Sequence, residues 1–386
     1  MRHKNILFLG FLCIAAMLIG GCQKQETAKD EKSSDKQEAE VPEDIRVSFL
    51  AVGDNLIHGA IFADPYHVKG QEMDFHSVYE PIKPYLEGID VKNINQETVL
   101  GGTELGLSHY PQFNGPQEIG MAVVDTGFNW ISQASNHAMD AGDQAILNQL
   151  ALWDRYEHVI ATGMNRNQKE AQKQRILTVN GLRIGLLNYT YGLNGLIMPE
   201  GKEYLVNLID EDAIKADIAA LKQNCDVMIA SMHWGVEYAY EPNEEQQQLA
   251  QLLSDEGVAV IIGAHPHVLE PAAFINAKDG RKTLVYYSLG NFLSAQDSGD
   301  TMLGGMAQFE IVKDGKTGEI RIEQAKLYPT ITHYNHSLAD FKVYLLKDYS
   351  DELASQHYLS NEISRQFFID LTNQIMGNPN QISIIY

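Results

Sequence analysis

Hydrophobic and polar positions alternate along this chain in a repeating order. Ile45-Arg-Val-Ser-Phe-Leu-Ala-Val-Gly53 is a short apolar run rich in β-branched residues that stops at Gly53-Asp54, which predicts a buried strand entering a loop. Asp90 to Asn95 repeats the pattern and ends at Asn95-Gln96-Glu97, and Trp130 to Ala134 ends at Ser135-Asn136-His137. Further strands are expected over 158–161, 176–179, 182–188, 226–232 (ending at His233), 258–262 (ending at Gly263) and 283–289 (ending at Gly290-Asn291), and 306–312 with 319–324 reads as a terminal hairpin. Helical spacing falls between them: Ser77 to Glu87 (interrupted by prolines), Glu118 to Thr126, Gly142 to about Glu157, Asp210 to Lys222, and a helix capped by Asn243 and running to about Glu256. Strands alternating with helices predict α/β architecture.

The N-terminus follows a different pattern. Arg2, His3 and Lys4 precede an apolar run, Ile6 to Ile19, that is shorter than the ~20 residues of a membrane span. Ile19-Gly20-Gly21-Cys22 then resembles a lipobox, in which the cysteine is lipidated and residues 1–22 form a lipoprotein signal peptide. Residues 23–44 hold almost no large apolar side chain and are expected to be a flexible tether, since such a stretch buries too little surface to offset chain entropy. The expected location is the outer face of the cell membrane, with lipid held through Cys22. With Cys22 lipidated and Cys13 removed, Cys225 stands alone and no internal disulfide is expected; it reads as a small apolar residue.

The chain has 386 residues, 44% hydrophobic and 21% charged, and a net charge of −22. That balance is globular and argues against a nucleic-acid partner, which needs a basic footprint. An anionic ligand would need a local cationic site, and metal ions are the obvious supply.

Polar, metal-competent residues recur just past the ends of the apolar strands, the edge at which α/β sheets bind ligands. They are Asp54 and His58, Asn95 and Glu97, Asn136 and His137, His233 and Glu237, and His265 and His267. Imidazole, carboxylate and amide oxygen without thiolate suit Mn, Fe or Zn in a working site. In extended backbone, His265-Pro266-His267 would point both rings to one face, and Asn136 and His137 would point to opposite faces. Asp54 and His58, four apart, need one helical turn or a folded loop to converge. Trp234 reads as a packed core aromatic or as a wall of the site, Glu237 as a support for an imidazole or a surface carboxylate, and Asn291 as a support or a turn residue.

Gly53-Asp54 through His58, Asn95-x-Glu97, Ser135-Asn136-His137-Ala138-Met139-Asp140, His233-Trp234-Gly235-Val236-Glu237, Gly263-Ala264-His265-Pro266-His267-Val268 and Tyr287-Ser288-Leu289-Gly290-Asn291-Phe292 occur in order. Together they resemble the CapA (PgsA) family of poly-γ-glutamate capsule synthesis proteins over residues 45–330. Residues 331–386 carry no matching motif and are expected to be a partly helical extension. That family is similar to calcineurin-like metallophosphoesterases, which implies a four-layer α/β/β/α sandwich and two divalent metal ions. The resemblance implies Asp54, His58, Glu97 and His267 around one ion, Glu97, Asn136, His233 and His265 around the other, and His137 as general acid. Asn95, Glu237 and Asn291 would stand behind the ligands. The implied activity is phosphoesterase-like hydrolysis at the membrane, on a phosphoester or an anionic polymer end, within capsule polymer synthesis or export. The alternative is a non-catalytic polymer-binding or scaffold subunit of a membrane synthase complex.

Overall fold

The computed structural model describes residues 42–70 and 72–386. Cys22 and most of the expected tether lie outside the described residues. Within them, residues 42–44 lead straight into the first strand, and Asp44 accepts a hydrogen bond from Gly315 N at 3.1 Å.

Two sheets face each other. In the nine-stranded sheet, β1 (Ile45–Asn55), β2 (Val91–Asn95), β3 (Trp130–Ser132) and β4 (Ile160–Thr162) are parallel neighbours. In the six-stranded sheet, β5 (Ile176–Val179) is an antiparallel edge beside β6 (Leu182–Thr190). Then come β7 (Val227–His233) and β8 (Val260–Ala264), parallel to β6. β9 (Leu269–Asn276) and β10 (Lys282–Leu289) complete that sheet, with β10 parallel to β8 and β9 antiparallel to β10. The chain then returns to the first sheet through β11 (Asn291–Leu293), β12 (Leu303–Lys313), β13 (Ile320–His333) and β14 (Lys342–Leu345), with β15 (Ser383–Ile384) beside β13.

Alternation sets the layers. Ile184, Ile229, Ile262 and Tyr286 join one core with Val47, Phe49 and Trp130 of the facing sheet. Their neighbours Met228, Ala230, Ile261 and Val285 pack outward against α3 (Glu211–Leu221) and α4 (Glu244–Glu256). α1 (Gln117–Thr126) buries Ile119, Ala122 and Val123 in the first core. α2 (Gly142–Trp153) packs Ala145, Ile146 and Leu150 against Val99 and Ala134, beside the strand-end loops. The result is the four-layer α/β/β/α arrangement.

The chain departs from the sequence expectation at several places. The proline-interrupted helix is a single helical turn, His76–Tyr79, followed by a 3₁₀ segment, Glu80–Tyr85, because Pro81 and Pro84 cannot donate to a ladder. The second helix stops at Trp153, before Glu157. The boundary expected at residue 330 falls inside β13, and residues beyond it complete the fold. β14 extends the first sheet, and α5 (Arg365–Met376) lies along β9 and buries Phe368, Leu371 and Ile375 in the main core.

Candidate metal centre

The C-terminal ends of β1, β2, β3, β7 and β8 converge, and the strand-end residues meet there. Two glycines permit the approach. A Cβ on Gly53 would sit 1.9 Å from Gly290 O, and one on Gly263 would sit 1.7 Å from Tyr287 O. Neither position tolerates a side chain, and each lies one or two residues before a candidate ligand.

Among the described residues, three groups of side chains present ligand atoms within 4.8 Å of one another: Asp54 with Glu97 and His267, Glu97 with His233 and His265, and Glu237 with His265 and His267. Glu97 is shared by the first two. Its nearer oxygen lies 3.7 Å from His233 Nε2 and 3.8 Å from His267 Nε2. Asn136 Oδ1 lies 2.8 Å from His233 Nε2. His58 stands in none of the three groups. Its backbone is extended, with φ −75° and ψ 162°, so it does not close a helical turn on Asp54. Its Nδ1 sits 3.2 Å from both Leu56 O and Ala295 N, and its ring packs edge-on to Phe113.

His265 and His267 converge by a route different from the expected extended backbone. Both have positive φ, 99° and 60°. That region costs a non-glycine residue about 1 kcal/mol or more. The surrounding bonds hold it: His265 N donates toward both oxygens of Asp54 at 3.3 Å, and Pro266 O accepts from Tyr238 N at 2.8 Å. The rings end 5.9 Å apart. Asn136 and His137 lie in a turn, yet they diverge as expected, one toward His233 and the other toward Asp140.

The residues behind the ligands fix orientation. Asn291 Nδ2 donates to Thr301 O and Gln296 Oε1, so its Oδ1 faces His267 Nδ1 at 3.1 Å. Asp54 Oδ2 lies at the same distance from that nitrogen. His267 therefore donates through Nδ1 and turns Nε2 toward Glu97. Asn95 Nδ2 donates to Asp54 Oδ1 at 2.8 Å. Trp234 is buried and donates to Tyr287 O, which makes it a core aromatic.

Electrostatics set the centre apart from an ordinary core. Burial pushes Glu97 well above the carboxylate range; His267 pulls it back, and Asp54 and Glu237 add to the rise. Burial alone would lower His267, but Glu97 and Asp54 hold it up to about 9. Burial and neighbouring imidazoles push His265 down to about 3 and His233 well below its ordinary value, which favours the neutral imidazole that coordination requires. Both oxygens of Glu97, together with Asn95 Oδ1 and His265 Nδ1, are buried without a hydrogen-bond partner among the described residues. Buried polar atoms are nearly always paired, so four orphans in one cluster fit a bound cation.

Several neighbours carried no sequence assignment. Asp140, inside the quoted Ser135–Asp140 motif, lies 2.6 Å from His137 Nδ1 and also accepts from Phe113 N at 2.7 Å. Asn194 accepts from Asn136 Nδ2 at 3.2 Å, and the Tyr191 ring lies 4.6 Å from that of His265. The i,i+3 spacing could have flagged Asp140. Tyr191 follows the end of β6 but is not a usual metal ligand.

The family model described as bacterial capsule synthesis protein PGA_cap matches residues 48–296. This chain belongs to that family. All the strand-end residues from Asp54 to Asn291 fall inside the PGA_cap match. The chain is 31% identical over 211 residues to the PGA biosynthesis protein CapA of Bacillus subtilis, covering 52% of this chain and 51% of that one. It is 27% identical over 247 residues to the capsule biosynthesis protein CapA of Bacillus anthracis, covering 62% of this chain and 58% of that one. The chain thus spans a little over half the length of these relatives. Among solved structures it is similar to the NAD nucleotidase of Haemophilus influenzae, with TM-score 0.48, 13% identity and coverage of 89% of this chain and 57% of that one. It is also similar to the calcineurin-like phosphoesterase YfkN of Bacillus subtilis, with TM-score 0.41, 15% identity and coverage of 86% and 97%.

Proposed function

We propose that this chain is a metal-dependent hydrolase of phosphoester type, held by lipid at Cys22 on the outer face of the cell membrane and working in capsule polymer synthesis or export. The observation that carries the reading is Glu97, a fully buried carboxylate between His233 and His267 whose two oxygens have no hydrogen-bond partner among the described residues. Two divalent ions, Mn, Fe or Zn, would share Glu97, with Asp54 and His267 on one side and His233, His265 and Asn136 on the other. Such ions would supply Lewis-acid polarisation of a phosphoryl oxygen.

The chain's own residues do the rest. Asn291 and Asp54 hold His267 in one tautomer. Asp140 accepts from His137 Nδ1, so the other ring nitrogen is the one available to a leaving oxygen, as general acid. Ser135 Oγ accepts from His137 N and donates to Glu97 O at 2.7 Å, which locks the acid to the shared ligand. The capsule setting follows the names of the relatives.

Metal content and phosphate release test the reading. The full chain should bind about two ions per molecule, Glu97→Gln should lose most of them, and wild type should release phosphate from a simple phosphoester. Equal, negligible metal in wild type and in Asp54→Asn/His267→Ala would sink the metal centre. Metal without turnover would favour the scaffold role beside a membrane synthase. Cys22→Ser should shift the chain out of the membrane fraction.

A further inference from the structure

Beside the candidate metal centre lies a groove of about 370 Å³, lined by His137 and by Glu237, whose carboxylate lies within 4.8 Å of His265 and His267 ligand atoms. Its walls come from two loops without regular structure: Tyr110 with Gln112 on one side, and Asn194 with Leu196 on the other. Among the described residues, no lysine or arginine lines it. Lys202, further along the Asn194 loop, is paired with Asp143. Glu237 is exposed in the groove, and its carboxylate reaches His265 and His267. A carboxylate on a leaving group would meet Glu237 here and no lysine or arginine side chain.

What the groove does offer is specific. The Tyr110 ring is 73% exposed, an open aromatic face. Gln112, Asn194 and Glu237 supply amides and a carboxylate at its edges. Tyr191 and Tyr238 flank the centre, their rings 4.6 Å from that of His265 and 6.0 Å from that of His267. An aromatic face for C–H groups, bordered by amides and a carboxylate for hydroxyls, suits a neutral sugar ring.

We infer that the groove selects phosphoesters whose leaving group is a neutral sugar and discriminates against sugar leaving groups that carry a carboxylate. The inference rests on the hydrolase reading for its chemistry. In that reaction the bond between phosphorus and the sugar oxygen breaks, and its electron pair stays on the sugar oxygen, which takes a proton from His137. A water oxygen forms the new bond to phosphorus, and the proton that water loses returns through solvent to His137.

The test compares hexose 1-phosphate with hexuronic acid 1-phosphate, which differ only in a CH₂OH replaced by a carboxylate, on the full chain loaded with Mn²⁺. The hexose compound should have about tenfold higher kcat/KM, the effect of one uncompensated charge near a carboxylate. Glu237→Gln should narrow the gap, and Tyr110→Ala should raise KM for the hexose compound about tenfold while kcat stays within about twofold. Equal or faster turnover of the uronate, or an unmoved KM in Tyr110→Ala, overturns the inference. If neither compound is hydrolysed, the hydrolase reading fails by itself. Equilibrium binding of the same pair then decides the groove: tighter hexose binding supports it, and equal or tighter uronate binding overturns it.

Discussion

Glu270 provides a stability test independent of the metal centre. It sits on β9, 1% exposed, and accepts one hydrogen bond, from Gln246 Nε2 at 2.6 Å. Gln246 cannot turn its oxygen there instead, because Oε1 already accepts from Asn243 N in the capping box of α4. The other oxygen of Glu270 has no partner among the described residues. Burial raises the carboxyl to about 8 from 4.5; Gln246 opposes the rise and Glu241 adds to it. A carboxyl held above its unfolded value contributes stability that is complete below about pH 4.5 and is lost as pH climbs toward 8. At about 1.4 kcal/mol per pH unit, the loss across that window is about 4–5 kcal/mol. Glu270→Gln keeps the shape and removes the titration, at a pH-independent cost of about 1–2 kcal/mol for its unpaired amide. The variant should therefore match or trail wild type at pH 5 and exceed it at pH 8. Urea unfolding of both proteins at half-unit pH steps measures this, since all other titrating groups cancel in the difference. A difference that stays flat from pH 5 to pH 8 would refute the argument.

Three further outcomes follow from the site. Asp140→Asn should cut turnover by about 10²-fold or more through loss of the held His137 tautomer, with metal content unchanged; a parallel fall in metal would point to a structural role. Gly263→Ala should destabilise the fold by about 3 kcal/mol or more, because its methyl meets backbone and not a flexible side chain; denaturant midpoints measure this, and a silent substitution would contradict the close approach of β8 and β10. Asn291→Ala should weaken metal affinity about 10–100-fold while leaving all the proposed ligands in place, read by competition with a chelating dye.

Much of this was legible in the sequence, and the reasons differ by element. Strand ends were visible because apolar runs stop at Gly53-Asp54 and Gly263-Ala264, where glycine marks close backbone approach. The cap of α4 was visible because Asn243 and Gln246 stand three apart before a helical pattern. β9 was hidden because Pro271 interrupts it and its outward positions do not alternate. As an edge strand, paired only to β10, it tolerates the missing donor. α5 carried a readable signal, Ser364 ahead of Phe368, Leu371 and Ile375, but no motif drew attention to it. The convergence of His265 and His267 was readable, whereas their positive φ was not. That conformation depends on Asp54, 211 residues away from His265 in sequence.

The origin of the cluster has one more consequence. Asp54, Glu97 and Asn136 come from the first sheet and its loops, whereas His233, His265 and His267 come from the second. The cluster therefore straddles the seam between the two layers, and an ion held there would act as a clasp across it. Affinity for the ion and resistance of the seam to sliding are then linked quantities. A substitution deep in the inter-sheet core, far from any ligand, would register as a change in metal affinity.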